Sequence, residues 1–230
     1  NRPFASHRPP RRGVAATSPA ADTVTGGALE TDSTARVRQV AQDSLLRDSA
    51  ARAATFAVLT DSFPVLPPTN PADSASASQF SVVLENTNGL VGAILDMHGR
   101  YASVPAGSYS LDLRTRYFQL VAGADQTRAG ADSLLAQLRA RKVLAPGFGS
   151  ITMLPYAFLA EANVPDTDVT ARLARAAARA QPVYALRQAD GSVNLYFGAY
   201  ESPQQASLAV PAVRRAGLTP TLVYRIGRVF

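Results

Sequence analysis

Glu85 and Glu161 are the first residues to consider for chemistry. Each closes a short apolar run, Phe80-Ser-Val-Val-Leu-Glu85 and Tyr156-Ala-Phe-Leu-Ala-Glu161, and two carboxylates brought together can divide general-acid and general-base work. His7 and His98, the only histidines, stand too far away in sequence to name either as a partner, so both glutamates read as solvated strand ends. "AGSYS" and "FGSIT" lack the closing glycine of a G-x-S-x-G nucleophile elbow. "GFGSIT", from Gly147, departs from G-x-G-x-x-G at its last position and leads into a strand, where a phosphate loop must open a helix. The chain has no cysteine, hence no disulfide framework and no thiolate chemistry. With two separated histidines and no cysteine, a zinc or iron site is not expected. The expectation is a protein that is not an enzyme, with no catalytic residue, no cofactor and no metal.

The elements that would position any site are written twice. "LVAGADQTRAGA" (120–131) and "LYFGAYESPQQA" (195–206) align without a gap. The register pairs Gly123 with Gly198, Ala131 with Ala206, Leu135 with Val210, Arg139 with Arg214 and Val143 with Leu218, an offset of 75 residues. A repeat of this length is too long for a solenoid unit, so two tandem small domains are expected, 79–154 and 155–230. The first halves match less cleanly: Phe80–Glu85 pairs with Tyr156–Glu161, and Tyr101–Gly107 with Tyr184–Asp190.

Each copy reads β-α-β-β-α-β. In the second copy, Val169, Leu173 and Ala177 recur at helical spacing over 166–180, and "ADGS" is a hairpin signal between strands 183–188 and 193–200. Ser202 as N-cap and Pro203 at N1 open a helix that ends at Gly217, with Pro211 expected to kink it. Leu222, Tyr224 and Ile226 then alternate as a last strand. The first copy has a shorter first helix near 89–97 and an insertion, "GSYSLDLRTR", in its central hairpin. This arrangement buries one sheet face under two helices and leaves the other open, and function is expected on the open face. Domains this small bury only about 60% of the surface their unfolded chain exposes, so packing the two copies together would stabilise both.

The chain has 230 residues, 47% hydrophobic, and a net charge of +6. The surplus is spread evenly, which argues against a dedicated nucleic-acid clamp. All basic residues but Lys142 are arginine, a bias that fits genome base composition better than phosphate binding. The longest uncharged run, Val143 to Ala160, is broken by Pro146, Gly147, Gly149 and Pro155 and reads as two strands and their join rather than a membrane span. Asn1 opens the chain, which raises the expectation of a signal peptide or anchor ahead of it.

Residues 1–31 form a Pro- and Arg-rich arm whose composition cannot offset its ordering entropy of roughly 1–2 kcal/mol per residue. Phe4, Arg8, Arg11 and Arg12 are therefore candidate partner-binding residues, toward an acidic protein surface or anionic lipid headgroups. A helix is expected over 32–60 and a Pro/Ser-rich linker over 61–78.

"VNLYFGAYESPQQASLAVPAVRRAGL" resembles the second half of a SPOR (sporulation-related repeat) domain: a strand with a central glycine and an aromatic, a polar turn, then a helix ending at glycine. "YFQLVAGADQTRAGADSLLAQLRARKV" resembles it too, with Asp125 in place of the aromatic and Lys142 in place of the glycine. The resemblance implies an α+β fold of two tandem ferredoxin-like, SPOR-type domains. It also implies a bacterial, extracytoplasmic, non-enzymatic module whose exposed sheet binds peptidoglycan glycan strands. The residues it places on that sheet face are Gln119, Arg187, Asn194, Tyr196 and Arg225, with Tyr196 stacking on a sugar and Gln119 and Asn194 bonding hydroxyls.

Three readings follow. The chain is an extrinsic accessory subunit of a membrane-envelope complex (division, secretion, respiratory or photosynthetic) attached by its arm, and so membrane-associated through partners on the periplasmic side. Or it is a glycan-strand-binding protein of the wall or septum. Or, most distantly, it binds RNA through the same topology, for which the flanking basic residue is missing. The first is expected, with the protein subunits of that complex as partners.

Overall fold

The computed structural model describes residues 64–230, so the arm (Phe4, Arg8, Arg11 and Arg12 included) and the helix expected over 32–60 lie outside the described residues. What is described is a mixed α+β structure with two antiparallel sheets. The first half runs α1 (Pro71–Ala75), β1 (Phe80–Thr87), α2 (Leu90–His98), β2 (Ser108–Leu111), β3 (Phe118–Asp125), α3 (Arg128–Ala140) and β4 (Ser150–Met153). The second runs β5 (Tyr156–Val164), α4 (Asp166–Ala178), β6 (Val183–Arg187), β7 (Val193–Tyr200), α5 (Pro203–Ser207), α6 (Val210–Arg215), β8 (Leu222–Tyr224) and β9 (Arg228–Val229). The sheet orders are β2-β3-β1-β4 and β8-β5-β7-β6-β9. Apart from β9 they are the same order, with the first strand of each unit between its third and fourth.

The repeat extends to irregularities that carry its physics. Phe80 pairs with Asp125 and Val82 with Ala122, so β3 holds an extra residue there. Tyr156 pairs with Tyr200 and Phe158 with Phe197, so β7 does the same. Each bulge contains the repeat glycine at positive φ, Gly123 at 81° and Gly198 at 72°, a backbone shape that side chains resist. The bulge turns each glycine N–H outward, to Pro105 O at 2.7 Å and to Pro182 O at 2.9 Å. The helix ends repeat as well. Lys142 N–H donates to Arg139 O and Val143 N–H to Leu138 O, as Gly217 does to Arg214 O and Leu218 to Val213 O. This Schellman-type end places a left-handed residue at C′, and Lys142 occupies it at φ 59° where Gly217 has φ 78°.

Three expectations are corrected. Tyr101–Gly107 is a turn and not the partner of Tyr184–Asp190. The second strand of the first unit is β2, inside "GSYSLDLRTR", where Ser108 faces Val121 as Tyr184 faces Tyr196. Among the described residues the 61–78 stretch is more than linker: Asn70 Oδ1 accepts the Ala72 N–H at 3.0 Å to cap α1. The final strand stops at Tyr224; the chain crosses to the opposite edge of its sheet, where Arg228 and Val229 pair with β6. Pro211 interrupts the last helix as expected, dividing it into α5 and α6.

The apolar cores lie under the helices. Val82, Leu120, Ala122, Met97 and Leu138 form one, and Phe158, Phe197, Val210 and Val213 another. Gly198→Ala should destabilise by about 3 kcal/mol in urea unfolding, because its Cβ would fall on the buried Tyr200 ring in a backbone region already costly to a side chain. Lys142→Gly should stabilise by about 1 kcal/mol by relieving the left-handed strain at C′. An unchanged midpoint in either variant would contradict this account.

Candidate functional site in the seam between the sheets

The sheet faces not covered by helices pack against each other. Val83, Val121 and Leu154 of the first unit cluster with Ala199 of the second, and Ala124 joins Tyr184, Leu186 and Tyr196. The seam is polar for a buried surface: Ser81, Ser108, Ser110 and Arg225 are all enclosed there. Strand alternation sends their neighbours Val82 and Tyr109 to the helix-covered core instead.

Arg225 sits at the centre, fully buried. One terminal nitrogen donates to Ser81 Oγ at 3.0 Å and Leu154 O at 2.9 Å, the other to Gly123 O at 2.8 Å. Its guanidinium also lies 5.3 Å from the Tyr184 ring centroid. Its backbone N–H donates to Pro155 O at 2.8 Å and its carbonyl accepts the Ser78 N–H at 2.6 Å. Ser78 Oγ donates to Gly227 O, and Ala77 bridges Ile226. No carboxylate pairs with Arg225 among the described ion pairs; two carbonyls and a hydroxyl take its terminal N–H groups, and its buried Nε has no partner among the described residues. Asp125 feels it: burial raises that carboxyl, and the Arg225 charge opposes the rise.

A second link runs through Gln205. Ser202 Oγ accepts the Gln205 N–H at 3.2 Å, capping α5. Gln205 Oε1 accepts the Glu201 N–H at 2.6 Å, and its Nε2 donates across the units to Leu111 O at 2.7 Å. The third residue of α5 thus both braces the helix start and ties the copies together. Tyr109 adds a third link, its hydroxyl donating to Ala180 O at 2.7 Å.

The residues expected on an open sheet face are placed otherwise. Tyr196 is buried, its hydroxyl donating to Ile226 O at 3.1 Å and its ring 6.0 Å from that of Tyr184. Arg225 and Gln119 are buried as well. Arg187 is half-buried, committed to Asp166 at 2.8 Å and lying over Phe230. Asn194 Oδ1 accepts the Asn163 N–H at 3.0 Å. Tyr196 and Arg225 are enclosed because the chain from Arg225 to Gly227 crosses the second sheet and the first sheet closes over it, while Arg187 and Asn194 stay partly exposed. Glu85 and Glu161 are not brought together as a pair. Glu85 holds Arg100 and the Tyr101 hydroxyl, and Glu161 faces Arg172. Among the described residues there is no cluster of three metal-ligating side chains and no helix long and apolar enough to cross a membrane.

Ser81, Ser108, Gln205 and Tyr109 were not singled out from sequence. The signal available was strand alternation, small hydroxyls at 108 and 110 opposite apolar neighbours. No protein-family model matches the chain, and no curated protein or solved structure matches it either.

Arg225→Ala removes three hydrogen bonds made by a charged group, each worth about 1.5–3 kcal/mol, and leaves Leu154 O without its donor while Gly123 O keeps the Ser81 hydroxyl, so it should lose at least about 3 kcal/mol of stability in urea unfolding; Ser81→Ala should lose about 1 kcal/mol. A near-neutral Arg225→Ala would show that the seam does not depend on it. Burial also pushes the Tyr109 and Tyr184 phenols up to about 12. The folded state therefore holds these protons more tightly than the unfolded chain, whose phenols titrate near 10. Their contribution is fully present below pH about 10 and is lost as pH rises through about 12. Phenolate absorbance should accordingly rise for these tyrosines together with loss of the circular-dichroism signal, and ionisation without unfolding would contradict their burial.

Proposed function

We propose that the chain is a non-catalytic, extracytoplasmic structural protein. It consists of two tandem ferredoxin-like, SPOR-type units and serves as an extrinsic accessory subunit, held on a larger bacterial membrane-envelope complex by residues 1–31. The shared strand order, the paired glycine bulges and the paired helix ends support the tandem reading. The observation that carries the functional reading is the closed seam: the face a glycan strand would use is occupied by the other unit and by Arg225. Two units locked in this way suit a cap that presents its outer surfaces to neighbours. Glycan binding ranks second because Tyr196, its stacking residue, is buried. RNA binding ranks third for the same reason.

In detergent extracts of the source membranes, the full chain should co-purify with the subunits of one complex. Deleting residues 1–31 should leave residues 64–230 folded and release the protein. Changing Arg8, Arg11 and Arg12 to Ser should weaken attachment most at low salt and by less as salt is raised, since exposed charge pairs are screened. Undiminished attachment of the truncated chain, or sedimentation of the full chain with peptide-stripped glycan strands that is lost in Tyr196→Ala, would overturn this reading in favour of the wall.

A further inference from the structure

A cleft of about 550 Å³ opens beside the seam, between α2 and β2 of the first unit and α5 and α6 of the second. This is the size range of small-molecule sites. Its floor is apolar and aromatic, from the buried Tyr109, Phe197 and Tyr200. Tyr109 and Gln205 have their polar atoms already committed to Ala180 O and Leu111 O; Ser110 Oγ has no partner among the described residues, and the rest of the floor asks for hydrocarbon rather than hydrogen bonds. Ile94 and Ala212 form the walls, and Leu90 carries the apolar lining outward to Val91 and Leu95, which are 71% and 67% exposed.

Among the described residues the lining includes two cations, Arg179 at the end of α4 and Arg215 at the end of α6, and no acidic side chain. Both are exposed, and neither has a carboxylate partner among the described ion pairs. Among the described residues the Arg215 Nε–H donates to Pro211 O of its own helix, at 3.3 Å, which leaves its terminal nitrogens for another acceptor. A guanidinium suits a carboxylate because it offers donors in a planar fork.

We propose that this cleft binds a single-chain amphiphile with an anionic head, a long-chain fatty acid, with its hydrocarbon on the Tyr109–Phe197–Tyr200 floor and its carboxylate at Arg179 and Arg215. The site is built from both copies, so it exists only when the seam is closed.

The test is competition on the full chain. A dansyl-labelled undecanoic acid is bound first and then displaced with palmitate or with hexadecanol. Palmitate should displace it, and hexadecanol should bind about tenfold more weakly, the loss expected when a charge-assisted hydrogen bond is removed. The double variant Arg179→Gln/Arg215→Gln, at exposed positions where folding should be unaffected, should weaken palmitate about tenfold and leave hexadecanol unchanged. Ala212→Phe should fill the cleft and weaken both, with an unchanged melting curve as the control for folding. Failure of palmitate to displace the probe would overturn the proposal, as would equal binding of acid and alcohol, or palmitate binding unaltered in both variants. Displacement by an acidic amphipathic helical peptide but not by palmitate would overturn it in favour of a protein partner.

Discussion

A buried guanidinium that no carboxylate pairs with among the described residues governs how the two sheets meet. Arg225 can be buried between two sheets only where oxygen acceptors meet its terminal nitrogens, and they come from three places far apart in sequence: Ser81, Gly123 and Leu154. Gly123 can present its carbonyl there because the bulge at positive φ rotates its peptide out of the regular ladder. The seat for Arg225 therefore depends on the first unit carrying its bulge.

A polar seam has a different consequence from an apolar one. Hydrophobic contacts are non-directional and tolerate sliding, whereas a guanidinium held by three oxygens fixes position. Gln205 and Tyr109 add two more directional links at the neighbouring edge. The small residues Ser81, Ser108, Ala124 and Ala199 let the backbones approach closely enough for those bonds to form. The same closeness explains why the C-terminal chain abandons the edge strand after Tyr224: its backbone atoms are needed by Ser78, Tyr196 and Gln188.

The two copies share a scaffold and differ where they meet other parts of the chain. Tyr200 packs edge-on against Phe158 inside the second unit, while its counterpart Asp125 lies beside the start of α3, within the field of Arg225. Lys142 tolerates the left-handed position that Gly217 occupies freely. The helix ends keep identical hydrogen bonds despite this, because the orphan carbonyls of the last turn impose the same geometry whatever residue supplies it.

The sequence by itself determined the elements whose causes are local. Alternation in "VNLYFGAY", the Asp190-Gly191 turn, the Ser202-Pro203 helix start and the break at Pro211 each rest on a few adjacent residues, and the ungapped offset of 75 residues carried the strand order from one copy to the other. What the helix-free sheet faces do is settled by long-range packing. A serine, a tyrosine and an arginine on alternating positions satisfy an open, glycan-reading face and a closed seam equally well, since the residue types are the same in both. Position 225 reads as one more alternating strand residue until its partners at 81, 123 and 154 are placed around it. The second strand of the first unit was missed for a related reason: "SYSL" is too short to show a period, and its place is set by pairing with β3 rather than by its own pattern. Non-local hydrogen bonds made those choices, and no local window of the sequence contains both ends of them.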